Sequence, residues 1–217
     1  MPPSDAAFVS PRGYERSNGP RDRDHAVSTT AVEVRAPYDP QVNPLSFRPA
    51  TISDIPAVVA LVTSAYRGEA SKVGWTTEAN LIDGQRIDAD MLRPEIERPD
   101  SLVLLGMRDD ELVACTHVSS ARPGTANVGL FAVRPGLQGG GLGKQVLAEA
   151  ERVARQEWAV SELELTVIDI RDELVAFYER RGFVRTGEHK HLSYGDERFG
   201  TPRVPDLRME VMRKALV

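Results

Sequence analysis

Apolar residues recur along this chain with two different periods. A period of two residues predicts strands, and a spacing of three and four residues predicts helices. Strict alternation around Leu45 and Phe47 predicts a short strand. After Ser53 and Asp54, which can cap a helix, apolar residues recur three and four positions apart and predict a first helix. A second helix is predicted over about residues 89–97. A glycine-bearing stretch separates the two helices.

The second half of the chain predicts strands on either side of one long helix. Apolar runs at residues 102–107 and 112–118 predict an antiparallel hairpin, and residues 128–133 predict a third strand. A long amphipathic helix begins near Leu142. A strand at about residues 163–167, a helix that Asp172 could cap and that Gly182 ends, and strands near residues 183–186 and 207–212 follow. The order β-α-α-β-β-β-α-β-α-β-β predicts one mixed α/β domain with helices packed on a central sheet.

Residues 1–43 differ from the rest of the chain because they show no apolar period. Prolines recur, aromatics are few, and charges of both signs mix, as in Arg21–His25. This composition predicts a disordered tail, and an arm that docks a partner is the alternative. The sequence therefore predicts a tail over residues 1–43 and a folded domain over residues 44–217.

Composition narrows the classes of function. The chain has 217 residues, of which 41% are hydrophobic and 27% charged, with a formal net charge of −5. A chain of this length can bury one hydrophobic core, and its excess of acidic over basic residues disfavours nucleic-acid binding. No apolar run reaches the roughly 18 residues that a membrane helix needs, and the N-terminus lacks the apolar core of a secretory signal. The single cysteine, Cys115, cannot form an internal disulfide or a cysteine-based zinc cluster. We therefore expect a cytoplasmic protein with no metal, membrane or nucleic-acid partner.

The strongest chemical signal is the loop Gln138-Gly139-Gly140-Gly141-Leu142-Gly143, between the third strand and the long helix. The first N–H groups of a helix lack carbonyl partners, the helix dipole is positive there, and glycines let the backbone approach an anion. These properties predict a phosphate site, to which Lys144 could add a charge. The P-loop pattern fails because Gln138 holds its first glycine position and Gln145 its Ser/Thr position. The dinucleotide fingerprint fails at Lys144 or Val146.

A third glycine pattern fits this loop. The strand end Val133-Arg134-Pro135, followed by Gln138-x-x-Gly141-x-Gly143, resembles the coenzyme A signature of the GNAT acetyltransferase superfamily. The segment from Ala176 to Phe183 is similar to a second element of that superfamily, and the resemblance covers about residues 45 to 215. It implies a single mixed, mostly antiparallel sheet with a splayed parallel strand pair and helices on both faces. It also implies acetyl-CoA-dependent N-acetyltransferase activity.

The resemblance assigns roles on the donor side. The pantetheine arm would lie beside the third strand, where a backbone N–H would polarise the thioester carbonyl, and the loop would hold the pyrophosphate. Tyr178 matches the position of the superfamily's general acid; the alternative is that it packs beneath its helix. A phenol with a pKa near about 10 is protonated at neutral pH. The expected acetyl-CoA contacts are Phe131, Ala132, Val133, Gln138, Gly139, Gly140, Gly141, Gly143 and Lys144.

The acceptor side is less determined. Many relatives place a glutamate on the strand before the loop, and this chain has none there. A water chain or a side chain from elsewhere would have to act as the base, and the candidates are Glu69, Glu78, Glu188 and His117. Arg171 stands where many relatives carry Asn. Trp75 could be a lid over the acceptor or could pack as a helix cap. Acidic residues on this side weakly favour a cationic amine. The expected acceptor contacts are Glu69, Trp75, Glu78, Arg86 and Glu188.

Three functions are compatible with these patterns. The leading one is an N-acetyltransferase that acts on a small-molecule amine. The second acetylates a protein N-terminus or lysine, and the third is a non-catalytic CoA-binding regulatory module. A monomer and a homodimer are both open.

Overall fold

The computed structural model describes residues 44–191, 198 and 200–216. The predicted tail lies outside these residues, as does most of the loop at residues 194–200. The strands are β1 (Ser46–Pro49), β2 (Ile82–Asp83), β3 (Ser101–Arg108), β4 (Glu111–Arg122), β5 (Thr125–Val133), β6 (Glu162–Ile168), β7 (Val184–His191), β8 (Thr201–Pro202) and β9 (Arg208–Ala215). The helices are α1 (Ile55–Tyr66), α2 (Gly68–Ser71), α3 (Ala89–Glu97), α4 (Leu142–Trp158) and α5 (Asp172–Glu179).

The main sheet contains seven strands in the order β1-β3-β4-β5-β6-β9-β7, and β2 pairs with β8 in a small separate sheet. Strands β5 and β6 are parallel, and the other neighbours are antiparallel. This confirms the expected mixed, mostly antiparallel sheet with one parallel pair.

The parallel pair separates soon after it starts. In the described structure, β5 and β6 pair from Thr125–Glu162 to Asn127–Glu164, although both strands continue well beyond. A bulge in β5 accompanies the separation. Leu130 adopts a left-handed φ of 46°, and the register with β4 shifts at this point. Because a bulge bends its strand and increases the local twist, it helps β5 to diverge from β6.

Helices cover both faces of the sheet, as the resemblance implies. Val103 and Leu105 of β3 pack in the cluster that contains α1 and α3, whereas Leu104 packs in the cluster with α4 and α5. Successive strand side chains point to opposite faces, so one apolar run supplies both cores. No helix among the described residues has the length and apolar character needed to cross a bilayer.

Local details differ from the sequence expectation at several points. Arg171, not Asp172, occupies the N-cap position of α5, and no side chain caps this helix. Asp172 instead lies in the first turn, where its carboxylate faces the positive end of the helix dipole. The short elements α2, β2 and β8 were not predicted, because two to four residues are too few to show a period.

A buried carboxylate joins four strands of the sheet. Glu164 of β6 is 4% exposed and accepts hydrogen bonds from Arg122 Nη1 at 2.9 Å, Lys190 Nζ at 2.9 Å and Arg213 Nε at 3.0 Å. Burial by itself raises the pKa of Glu164, but the three cationic donors outweigh it and lower the pKa to about 2. The charged form is therefore the one that stabilises the fold.

We predict that Glu164→Gln lowers the free energy of unfolding at pH 7 by about 1–3 kcal/mol, because it leaves three cations without their shared anion. The folded pKa lies below the ordinary value of 4.5. The stabilisation is therefore complete above that value and declines as pH falls toward about 2. Urea unfolding at several pH values measures both effects.

Glu162→Gln is the matched control, since Glu162 contacts Arg122 at 3.1 Å but is 35% exposed. This substitution should lower the free energy of unfolding by less than about 0.5 kcal/mol. A difference between Glu164→Gln and the parent that stays constant from pH 7 to pH 3 would contradict the assigned pKa.

Candidate active site

A cavity of about 400 Å³ opens where β5 and β6 separate. Its walls come from these two strands, the glycine loop, α5 and the segment at residues 75–86. The predicted donor contacts that line it are Phe131, Val133, Gln138, Gly139, Gly141, Gly143 and Lys144. Ala132 and Gly140 do not line it. The Ala132 side chain packs instead in the α1 core, because it points to the opposite face from its neighbours in the strand.

The glycine loop leaves open space at the start of α4. Gly139 and Gly141 have φ values of 87° and 84°, and a Cβ atom at either position would meet nothing within 4 Å. Gly141 is the N-cap of α4 and has no side chain to cap the first helical N–H groups. Lys144 is exposed, and in the described part of the chain its ammonium has no ion-pair partner. The loop therefore offers backbone donors and a free cation to an anion.

Gly143 is required for a different reason. A Cβ atom there would lie 3.2 Å from Cζ of Phe177, so this glycine lets α5 approach the start of α4 closely. The loop thus combines two glycines that permit left-handed backbone with one that permits close packing.

In the described structure, the edge of β5 that faces the gap has no ladder pairing with β6 beyond Asn127. Tyr66 Oη donates to the Phe131 carbonyl, and Gln138 Nε2 donates to the Val133 carbonyl at 2.9 Å. Val133 lies opposite Ala114 and Ala132 lies opposite Cys115 in the register with β4, and the Arg134 N–H donates to the Val113 carbonyl of β4 at 2.9 Å, so the even-numbered residues of this stretch bond β4. Because the N–H and C=O of one strand residue point to the same edge, the Phe131 and Val133 amides face the gap. A ligand in the gap can bind them as an added strand would.

The side chain of Gln138 does not face the loop's open space. Its Oε1 accepts from the Trp75 N–H at 2.9 Å, and its Nε2 also donates to Thr76 Oγ1 at 2.8 Å. A Cβ atom on Gly74 would lie 2.7 Å from Gln138 Oε1, so a larger residue there would displace the Gln138 amide from this position. In this arrangement the amide of Gln138 ties the loop to residues 74–76, and an anion in the loop would be held by backbone N–H groups.

Arg171 holds the same segment from its other side. It is 7% exposed; its Nη2 donates to the Trp75 carbonyl at 2.8 Å and its Nη1 to the Thr77 carbonyl at 2.8 Å. The Trp75 ring lies 5.7 Å from the Phe177 ring, centroid to centroid. Trp75 therefore spans the space between the glycine loop and α5, on the side where the sequence places the donor rather than the acceptor.

Two buried phenols, Tyr66 and Tyr178, line the cavity. Tyr178 is 8% exposed, and its ring makes edge contacts with those of Phe131, Phe177 and Phe183. Burial raises the pKa of Tyr178 well above its ordinary value, with Arg181 opposing. Burial, and then the neighbouring Tyr178, raise the pKa of Tyr66 as well. Both hydroxyls therefore keep their protons at neutral pH. The sequence predicts Tyr66 as an apolar position of α1 and assigns no role to its hydroxyl.

Of the predicted acceptor contacts and bases, Trp75, Glu78 and Arg86 line the cavity, and the last two lie beside Tyr66. Glu78 is buried and accepts from Arg67 Nη1 at 2.5 Å. The other two predicted acceptor contacts, Glu69 and Glu188, do not line this cavity. Glu69 is exposed and pairs with Lys72, and Glu188 of β7 is exposed and pairs with Arg213.

His117 is also absent from the cavity wall. Its Nε2 lies 2.7 Å from Ser101 Oγ and 3.1 Å from Glu95 Oε2, on the surface between β3, β4 and α3. Of the four candidate bases, Glu78 thus lines the cavity. Glu69, Glu188 and His117 lie outside it and contact other side chains of the protein.

Sequence comparison relates the chain to acetyltransferases. Residues 65–183 match a family model described as "Acetyltransferase (GNAT) family". Over 77 residues the chain is 35% identical to mycothiol acetyltransferase from Salinispora tropica. That match covers 34% of this chain but 25% of the relative, so the chain corresponds to about a quarter of the relative's length.

Solved structures share the fold. Ribosomal-protein-alanine N-acetyltransferase from Brucella melitensis superimposes with a TM-score of 0.59 at 23% identity, covering 79% of this chain and 100% of that one. An acetyltransferase from Salmonella typhimurium, solved with its cofactor acetyl-CoA, gives a TM-score of 0.57 at 18% identity, covering 80% and 94%. Identities this low concern the arrangement of helices and strands alone.

We predict that Gln138→Ala loosens residues 74–76, because it removes the hydrogen bonds that Gln138 makes to Trp75, Thr76 and Val133. The free energy of unfolding should fall by about 1–3 kcal/mol. In a Trp158→Phe background, acrylamide quenching of Trp75 fluorescence should increase. Gln156→Ala, on the exposed side of α4, is the control and should change stability by less than about 0.5 kcal/mol. Unchanged quenching in Gln138→Ala would show that the segment is held by other contacts.

Proposed function

The chain belongs to the GNAT acetyltransferase family, and we propose that it transfers the acetyl group of acetyl-CoA to the amine of a small molecule. The observation that carries this proposal is the cavity between the separated strands, which joins the open glycine loop at one end to Tyr66, Glu78 and Arg86 at the other. An acyl donor with an extended arm and a diphosphate at its far end fits this cavity. Its arm can bind the backbone of β5, and its diphosphate can bind the glycine loop.

The donor side of the cavity fits acetyl-CoA, which supplies the acetyl group as an activated thioester. The amides of Phe131 and Val133 can bind the extended arm, and one of them can polarise the acyl carbonyl. The N–H groups at the start of α4, together with Lys144, can bind the diphosphate. The Trp75 ring and Phe177 form an apolar wall beside this path.

The chemistry needs a proton for the departing thiolate and a neutral attacking amine. Tyr178 lines the cavity, holds its proton at neutral pH, and contacts the Phe131 ring at a centroid distance of 6.2 Å, so we assign it as the general acid. Glu78 is the sequence-predicted carboxylate on the cavity wall. It can accept the amine's proton, directly or through water.

The acceptor end favours a compact molecule over a protein segment. Tyr66 and Glu78 are each less than 10% exposed, and Arg86 closes over the Tyr66 ring at 5.4 Å from its centroid. A protein N-terminus would need an open groove for the residues that follow its amine, and an internal lysine would need a groove for the chain on both sides of its side chain. Acetylation of a protein amine is the second candidate, and the shared fold with ribosomal-protein-alanine N-acetyltransferase motivates testing it.

Acetyl-CoA binding tests the donor assignment. We predict saturable heat in titration calorimetry, because the loop and the β5 edge present unpaired donors to it. Gly141→Val should weaken binding by at least about tenfold, since a β-branched residue cannot hold a φ of 84° without strain. Val184→Thr, an exposed change on β7, is the control. Absence of heat with the parent protein would refute the donor site.

An amine library with thiol-release detection, with peptides bearing free N-termini and lysines in a parallel arm, tests the acceptor class. Turnover of small amines alone supports the proposal. Turnover confined to peptides would establish the second candidate instead.

We predict that Tyr178→Phe lowers kcat by about 10²-fold or more while acetyl-CoA affinity changes less than about threefold, because it removes a proton donor and keeps the ring. Tyr66→Phe is the matched control in the same cavity. It removes a hydroxyl that binds a backbone carbonyl, and its kcat should fall less than about tenfold. Equal losses in the two variants would assign Tyr178 to packing.

A further inference from the structure

The cavity carries an excess of positive charge. Among the described residues that line it, one is acidic, Glu78, and three are basic, Arg86, Lys144 and Arg181. Lys144 belongs to the glycine loop, and Arg181 stacks on Phe177 at 3.5 Å from the ring centroid, so both lie on the donor side. Arg86 stands at the opposite end, beside Tyr66.

Glu78 does not neutralise the positive charge of Arg86. Glu78 Oε2 accepts from Arg67 Nη1 at 2.5 Å, and both side chains are less than 10% exposed. Arg86 Nε lies 3.7 Å from the same oxygen, beyond hydrogen-bond distance. The Arg67–Glu78 pair is therefore neutral as a unit, and the three-residue cluster keeps one net positive charge. Arg86 carries it, since its side chain is 30% exposed and lines the cavity.

This cation lies close to the proposed acyl centre. The Arg86 guanidinium is 5.4 Å from the centre of the Tyr66 ring, and the hydroxyl of that ring binds the Phe131 carbonyl on the strand that would align the thioester. One phenol ring thus separates the guanidinium from the reacting strand. An acceptor amine positioned there has Arg86 within reach of a group a few atoms away.

We propose that the acceptor is an amine that also carries a carboxylate, and that Arg86 binds this carboxylate. The inference rests on the proposed N-acetyltransferase function and narrows its substrate class. A guanidinium presents planar paired donors that match the two oxygens of a carboxylate. A polyamine would bring a second positive charge toward an uncompensated cation and would be disfavoured. Glu69 and Glu188, which gave weak support for a cationic acceptor, lie outside the cavity.

The test compares acceptors that differ in the carboxylate alone, with thiol release as the readout. Suitable pairs are L-phenylalanine with phenethylamine, L-leucine with 3-methylbutylamine, and 4-aminobutyrate with propylamine. Each α-amino acid is also compared with its amide, which keeps the size and removes the charge. We expect the carboxylate member of at least one pair to exceed its partner in kcat/KM by at least about tenfold, as charge-assisted hydrogen bonds provide.

Arg86→Gln should lower kcat/KM for the carboxylate acceptor by at least about tenfold and for its neutral partner by less than about threefold, so that the preference disappears. Arg86→Lys keeps the charge but loses the paired geometry and should fall between. Arg93→Gln is the matched control, because Arg93 is half exposed on α3 and pairs with Glu97 away from the cavity. Acetyl-CoA affinity, measured on each variant, reports that the fold is intact.

The outcomes separate this inference from the function it rests on. Turnover of carboxylate-free amines that equals or exceeds their partners, or a preference that survives in Arg86→Gln, would overturn the inference and leave N-acetylation standing. Acetyl-CoA binding without thiol release for any amine or peptide would overturn both.

Discussion

The backbone between β5 and β6 must satisfy its hydrogen bonds without a partner strand, and the site depends on how it does so. Interrupting the ladder in the middle of a seven-stranded sheet would leave buried N–H and C=O groups at a cost of about 1–3 kcal/mol each. β4 and β9 hold the two strands on their outer edges. The Tyr66 hydroxyl and the Gln138 amide bind two carbonyls that face the gap. These contacts satisfy the two carbonyls, and the amides of the same residues are available to a ligand.

Residues 74–78 connect the two ends of the cavity. Gln138 and Arg171 bind this segment through its backbone, and Glu78 at its end binds Arg67 and approaches Arg86. Arg171, which stands where the resemblance to the superfamily implies Asn, has a structural role here. Its side chain reaches the carbonyls of Trp75 and Thr77 from the start of α5. The glycine loop, residues 74–78 and the start of α5 are therefore parts of one hydrogen-bonded unit.

Two ion-pair clusters, each centred on one buried carboxylate, show how position decides role. Around Glu164, three cations face three carboxylates, Glu162, Glu164 and Glu188, and the cluster is balanced within the sheet. Around Glu78, two arginines share one carboxylate, and the unbalanced arginine faces the cavity. In a balanced cluster, groups of the protein neutralise every charge. The excess charge of an unbalanced cluster at a cavity wall is instead neutralised by a ligand or solvated by water.

The sequence by itself determined the elements and the donor loop of this protein. Helix and strand periods are local, so α3, α4 and the β3–β4 hairpin could be predicted, and the glycine spacing of residues 138–143 identified the coenzyme A signature. The tertiary structure decided which side chains share the cavity. Gln138 binds Trp75, 63 positions away, and Arg171 binds its carbonyl from 96 positions away, and neither contact has a local signature. Glu69 and Glu188 look like Glu78 in sequence, but folding brought them to surface partners. A carboxylate's role depends on which cations the fold places beside it, and that is set by long-range packing rather than by spacing along the chain.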